Sequence, residues 1–415
     1  MASGLPPGCE HHGRQHAPAK MLADVRDRAF RFGETFVAYL ASEEGWETFW
    51  SPERRGLIRF VRWGRYAFSV GGLLAAPDDQ PELLRLFLEF IKARGWTVTF
   101  YNIGRDRLPL FREQGCQATK CGEEPIVRLD RSTWKGKDLE WVRRQENFCK
   151  RQGLEVHEVV PDAADPAYRD AVAPELAAIS QEHVVNTLHG RELRYVVGRF
   201  EPLAMGHQRL FVARSAERIE GFVVCNPCLA GRMWAIEMYR RRTDAPRGVI
   251  PFAMVQTMRR LQDEGIAYCS LSATPAVRCE NITAGDSWAA RGAYVYWWRY
   301  FNWLYDVRGI YHFKSRFRPD YREMYLVSWP KTTILSLIGV GMVWGVFWFS
   351  PWKLFASMRS NARTREARKS LAKPGFRPDR VLRRLLFPKP APPASELAAR
   401  PAPEAGPDAR PGESP

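Results

Sequence analysis

The run TTILSLIGVGMVWGVFWFS, Thr332 to Ser350, holds no charged residue and constrains this chain more than any other stretch. Apolar surface left in water is unfavourable by roughly 25 cal/mol per Å², so the run has to be covered by protein or by lipid. Its length is close to the roughly 20 residues that cross a hydrocarbon core at about 1.5 Å per residue. Lys331 precedes it, Lys353 follows it, and Trp344, Trp348 and Trp352 suit a headgroup boundary. The run predicts a membrane-anchoring segment over 331–356, either spanning or half-buried as a hairpin, with no share in a soluble core. Basic residues on both flanks leave its orientation open.

Upstream, the apolar spacing alternates between strand and helix periods. Residues 1–30 read as a disordered leader without the apolar segment of a signal peptide. Cys9, His11, His12 and His16 lie in that Gly/Pro/Gln-rich context, which argues against a metal site. In 31–131, GLIRFVRWGRYAFSVGGLL holds strand-length runs, and PELLRLFLEFIKARG is a helix opened by Pro81 and stopped at Gly95. WTVTFYNI, RLPLFREQG and EEPIVRLD continue as strand, short helix and strand.

Residues 132–330 repeat the order: two helices, a meander through RLFVARS, EGFVVCNP and RMWAIEMYRR, then the helix VIPFAMVQTMRRLQDEG. The strand AYCSLSATP, the aromatic helix YVYWWRYFNWLYDV and a closing strand EMYLVSW follow. The expectation is an α+β chain of tandem GNAT-like acyltransferase domains, 31–131 and 132–330, followed by a C-terminal membrane-associated helix. A basic, then Pro/Ala-rich disordered tail occupies 357–415. Eight cysteines at irregular spacing suit a reduced compartment. CNPC, with Cys225 and Cys228, reads as a hairpin turn rather than half of a zinc site.

A formal charge of +16 and a pI near 9.7 point to an anionic partner, nucleic acid or anionic lipid. Basic residues also fall within folded segments, as in RRQENFCKR and YRRRTDAPRG.

Three stretches carry a family resemblance: FREQGCQATKCGEEPIVRLDRSTWKGKDLEWVRRQENFCKRQG, IEMYRRRTDAPRG and GIYHFKSRFRPDYREMYLVS. In this order they resemble the C-terminal domain of phosphatidylglycerol lysyltransferases, over roughly Phe36 to Ser328. The resemblance implies transfer of an amino acid from aminoacyl-tRNA to a membrane lipid at the cytoplasmic face of the inner membrane. It implies no cofactor, no metal, and two partners: aminoacyl-tRNA and an anionic membrane lipid. The large multi-span flippase region typical of such proteins is missing from this sequence, so lipid translocation is not implied.

Residue by residue, Glu237 and Arg240 match the family's Asp and Arg, and Lys314 matches the lysine of its Tyr-x-Phe-Lys run; these form the catalytic set. Ser272, Thr274, Arg241, Arg247, Tyr311 and Arg316 form the substrate-binding set. Ser272 and Thr274, and likewise Lys314 and Arg316, share a face if their segments are extended. Arg143, Arg144, Lys150 and Arg151 lie on one helix and suit contact with the tRNA backbone. The chemistry agrees: an aminoacyl ester is already activated, so transfer needs positioning, deprotonation of a hydroxyl and stabilisation of oxyanion charge. No Ser-His-Asp or Cys-His arrangement points to a covalent intermediate. The rival readings are a tandem acyltransferase using CoA or a lipid-linked precursor, and a basic membrane-bound module without activity.

Overall fold

The computed structural model describes residues 5–14, 18–195, 197–281, 285–302 and 305–348. The first half runs β1 (Glu10–His12), α1 (Ala19–Phe32), β2 (Glu47–Trp50), β3 (Gly56–Trp63), β4 (Tyr66–Val70), β5 (Leu74–Ala75), α2 (Gln80–Ala93), β6 (Thr97–Gly104), α3 (Leu108–Glu113) and β7 (Gln117–Arg128). The second runs α4 (Glu140–Arg151), β8 (Glu155–Val159), α5 (Ala173–Asn186), β9 (Arg209–Arg214), β10 (Ile219–Cys228), β11 (Met233–Arg241), α6 (Val249–Asp263), β12 (Tyr268–Ser270) and β13 (Thr274–Pro275). It closes with α7 (Trp288–Tyr300), α8 (Val307–Ser315), β14 (Asp320–Trp329) and α9 (Ile334–Trp344). The result is a mixed α/β fold.

Twelve of the described strands join one sheet in the order β1-β2-β3-β4-β6-β14-β7-β12-β11-β10-β9-β8, with β5 paired to β3 and β13 to β7 beside it. The closing strand β14 comes from the far end of the chain and inserts between β6 and β7, antiparallel to both. β7 in turn pairs with β12 through Ile126 and Ser270, so the halves share one sheet. Where β13 crosses β7, a side chain at Gly122 would lie 2.4 Å from the Thr274 carbonyl oxygen; only glycine fits.

Two helices cover the sheet where their apolar stripes require it. α2 buries Leu83, Leu84, Phe87, Phe90 and Ile91 against Ile58, Phe60, Val98 and Phe100. α6 buries Val249, Phe252, Met258 and Leu261 against Phe211, Val223 and Ile236.

The expected helix YVYWWRYFNWLYDV ends as α7 at Tyr300, the expected strand AYCSLSATP divides into β12 and β13, and three larger expectations change. The leader contains structure: β1 adds to β2, α1 buries Met21, Val25 and Ala29, and His11 pairs with Glu47 at 3.1 Å. His16 lies outside the described residues. CNPC is not a turn; Cys225 to Cys228 form the end of β10, and both thiols are buried.

The largest change concerns the apolar run. Its described part is α9, eleven residues long, which at about 1.5 Å per residue reaches roughly half of a 30 Å hydrocarbon core. No helix among the described residues is long and apolar enough to cross a membrane. A Thr333–Ser336 capping box starts α9 and left-handed Gly345 stops it. One face belongs to the core: Val340, Trp344 and Val346 are buried. At Gly339 a Cβ would stand 2.8 Å from the Phe68 ring, which marks how closely the helix lies on the sheet. Trp344 meets Tyr101 edge-on at 4.6 Å instead of facing a boundary. Residues 349–415, with Trp352 and the expected tail, lie outside the described residues.

Candidate active site

A cavity of about 520 Å³ opens beside β11, between the segment after α5, α8 and the end of α9. Ile236, Met238, Leu271, Trp297, Trp344 and Val346 give it apolar walls, and Glu237, Arg240, Lys314, Glu192 and His183 bring ionisable groups to them.

Glu237 enters this cavity through a defect in the ladder. Val224 pairs with Met238 and Cys225 with Ile236, so Glu237 is the extra residue of a β-bulge. A bulge re-aims one side chain and breaks the regular alternation. Ser272 Oγ lies 3.1 Å from Glu237 Oε2 and donates to the Ile236 carbonyl at 2.8 Å, while Gly198 N–H approaches Oε1 at 3.4 Å. Burial pushes the Glu237 carboxyl up to about 7, against the Ser272 and Gly198 hydrogen bonds and the charge of Lys314.

Lys314 arrives from the last turn of α8. Its ammonium donates to the carbonyls of Ser272 at 2.8 Å and Ala273 at 3.3 Å. Burial lowers its pKa to about 8, opposed by Glu237 and Glu124. Ser272 therefore touches both groups, and it does so from a left-handed backbone, φ 61°, just beyond the end of β12. Beneath them Glu124, fully buried, accepts from Ser270 Oγ at 2.6 Å and from Arg322 Nε at 3.0 Å.

Arg240 is buried beside this pair. It donates to Ser180 Oγ and, at 2.7 Å, to Glu192 in the segment after α5. Burial, with Arg240 and Arg241, holds the adjacent His183 below its ordinary value.

The other expected site residues divide. Thr274 is buried against β7, while its neighbours Ala273 and Pro275 line the cavity. The segment around Lys314 is helical, not extended, so Arg316 points away from it, over the Trp141 ring at 5.5 Å and donating to His312 Nε2. Tyr311 packs on Trp298 and Tyr321 and accepts from Arg278, outside the cavity. Arg241 is exposed and bonds the carbonyls of Arg242 and Thr243.

Arg247 sits elsewhere, in a groove with Arg144, Asn147, Phe148 and Arg151 of α4. On that helix Arg144 pairs with Glu140 at 2.6 Å, Lys150 with buried Glu146 at 2.9 Å, and Arg143 bonds the Gly136 carbonyl. Among the described residues no group of three or more His, Cys, Asp or Glu could hold a metal ion.

Sequence reasoning missed Glu43, Glu192 and Tyr305. Glu43 accepts from Arg199 N–H at 2.9 Å, one residue from the amide facing Glu237, and burial pushes it up to about 8. Tyr305 lines the cavity, and burial raises its phenol to about 12. Glu43 and Glu192 lie in no quoted stretch, and Tyr305 lay in the aromatic stretch YVYWWRYFNWLYDV without being singled out. The polar signal that could have found Glu192 is the strand arginine Arg240, which needs a carboxylate once buried.

Residues 26–328 match the family described as phosphatidylglycerol lysyltransferase, C-terminal. The phosphatidylglycerol lysyltransferase of Bacillus subtilis (strain 168) is 25% identical over 328 residues, covering 78% of this chain and 36% of that protein. The lysylphosphatidylglycerol biosynthesis bifunctional protein LysX of Mycolicibacterium vanbaalenii is 21% identical, covering 74% of this chain and 27% of that protein. The chain thus spans about a third of the length of these curated relatives. The structure of L-PGS from Bacillus licheniformis superposes with a TM-score of 0.65 at 22% identity, covering 79% of this chain and 97% of that one. With the family match extending over most of the sheet and every wall of the cavity up to β14, the chain belongs to the phosphatidylglycerol lysyltransferase C-terminal family.

Proposed function

We propose that this chain transfers an aminoacyl group from aminoacyl-tRNA to a hydroxyl of a membrane phospholipid such as phosphatidylglycerol, at the cytoplasmic membrane face. The observation that carries this reading is the meeting of the Glu237 carboxyl and the Lys314 ammonium at Ser272, on the wall of a largely apolar cavity. Largely apolar walls suit the acyl-chain side of a lipid, the polar groups that converge among them suit its hydroxyl-bearing head, and two titratable groups with converging pKa values suit proton transfer near neutrality.

In the proposed step Glu237 takes the proton of the acceptor hydroxyl as its oxygen bonds the acyl carbon. Lys314 stabilises the negative charge that develops on the acyl oxygen. The bond from the acyl carbon to the terminal ribose oxygen then breaks, and the proton held by Glu237 passes to that oxygen. Arg240 holds Glu192 at the cavity wall, where its carboxylate receives the α-ammonium of the aminoacyl group. Arg144 and Arg151, with Arg247 across their groove, contact donor phosphates, and Arg143 and Lys150 extend that face. The division into two GNAT-like units at about residue 131, with the reacting groups on the second, is part of the same proposal.

The test is transfer by the purified chain from a panel of aminoacyl-tRNAs to phosphatidylglycerol vesicles, read by mass spectrometry of extracted lipid. A new aminoacylated lipid that disappears on ribonuclease treatment is expected. Modification with an acyl-CoA in place of tRNA, or no product with any donor, overturns the reading.

A further inference from the structure

We infer that the chain docks peripherally on an anionic bilayer through one face: the outer side of α9, the first residue of α7 and the two residues Phe347 and Trp348. The inference rests on the reading of the cavity as one that accepts a lipid. The buried side of α9 is core, but Ile334, Leu335 and Ile338 lie along its outer side. Trp288 opens α7 and is held beside the start of α9 because Ser287 Oγ donates to the Thr332 carbonyl at 3.3 Å. With Phe347 and Trp348, these residues are 39% to 57% exposed. The Phe347 ring folds back on Gly341 of α9, and large apolar side chains exposed together along one short helix mark an interaction site rather than ordinary surface.

Charge on and around the face selects the occupant. Between Trp329 and Trp348 the chain has no Asp or Glu, and its only charge is Lys331. At the other end Arg191 lies over the Trp348 ring at 5.8 Å and donates to the Gly345 carbonyl. Apolar side chains flanked by tryptophan and rimmed by Lys or Arg fit the headgroup boundary of an anionic leaflet. α9 is too short to cross it.

The same short segment also forms the cavity. Trp344 and Val346 line it from inside, as do His189 and Arg191, while Phe347 and Trp348 face outward directly after them. His189 Nδ1 lies 3.1 Å from the Trp348 carbonyl and ties the two sides together. Docking this face sets the cavity rim at headgroup depth, so the acceptor lipid reaches Lys314 without leaving the bilayer.

The experiment uses the full chain and sucrose-loaded vesicles of phosphatidylcholine, with and without phosphatidylglycerol. Leu335→Glu/Ile338→Glu is expected to lower sedimentation with phosphatidylglycerol vesicles by about tenfold or more, with Trp348→Ser falling between it and wild type. Melting temperature should be unchanged, because all three side chains are exposed. Unchanged vesicle binding by both variants overturns the inference. So does a wild-type dimer that the variants convert to monomer while vesicle binding persists, since a second copy would then cover the face. Binding needs no turnover, so the two readings fail separately. Variants that lose binding beside a wild type inactive with every aminoacyl-tRNA leave the docking face standing and remove the transferase. Wild-type transfer to detergent-dispersed lipid with unaltered variant binding does the reverse.

Discussion

The exposed cations of α4 and the buried cations of the cavity are the same residue types under opposite conditions. Arg144 pairs with Glu140 one helical turn away in water, an arrangement worth only about 0.3–0.5 kcal/mol. Lys314 has lost its water and keeps two backbone carbonyls and a nearby carboxyl, which brings its pKa down to about 8. Exposure leaves α4 a permanent, salt-screened charge suited to a polyanion. Burial makes Lys314 a group whose proton is in play near neutral pH. Position relative to solvent, not residue type, separates the two roles.

The strongest way to break this contrast is to remove the buried groups. Lys314→Ala and Glu237→Ala should each lower aminoacyl transfer by roughly 10²–10⁴-fold, with circular dichroism spectra unchanged. Wild-type turnover in either variant would take that residue out of the reacting set.

A smaller effect is expected from the exposed side. Replacing Arg144, Arg151 and Arg247 together by Gln should weaken donor tRNA binding about tenfold and flatten its log–log salt dependence by about two to three. The rate with saturating donor should stay near wild type. A salt slope equal to wild type would show that the groove beside α4 makes no phosphate contact.

The smallest effect is in the pH dependence of stability, and its sign differs for the two buried groups. Glu237 is raised from an ordinary 4.5 to about 7. Its contribution is therefore full below pH 4.5 and is lost as pH rises through 7. Lys314 is lowered from an ordinary 10.5 to about 8, so its contribution is full above pH 10.5 and is lost as pH falls through 8. Denaturant titrations of Glu237→Gln should lack the decline between pH 4.5 and 7, and those of Lys314→Met the rise between pH 8 and 10.5. Transfer should be bell-shaped between these groups, because it needs Glu237 ionised and Lys314 charged. Neutralising α4 should move neither limb.

Much of the local architecture could be read from spacing and punctuation. Pro81 and Gly95 bracket α2, and Gly265 follows α6. Glu237 and Lys314 lay in two of the three stretches that resemble the family. Even the start of α9 was written in Thr333 and Ser336 and its stop in Gly345, but hydropathy over nineteen residues outweighed those caps. A hydropathy window averages the two sides of a helix, and here one side meets Phe68 and Tyr101 while the other is exposed.

The sequence by itself determined most of the helices and strands from β3 to α6, because 3.6- and 2-residue periods and Pro or Gly stops act between neighbours in the chain. Tertiary structure decided that β14 enters between β6 and β7, that a bulge turns Glu237 into the cavity, and that Lys314 and Arg316 part ways on a helix. Each outcome depends on a partner far away in sequence: a strand edge some two hundred residues back, the register of β10, the carbonyls of Ser272 and Ala273. Register and burial are settled by such pairings, and local spacing carries no record of them.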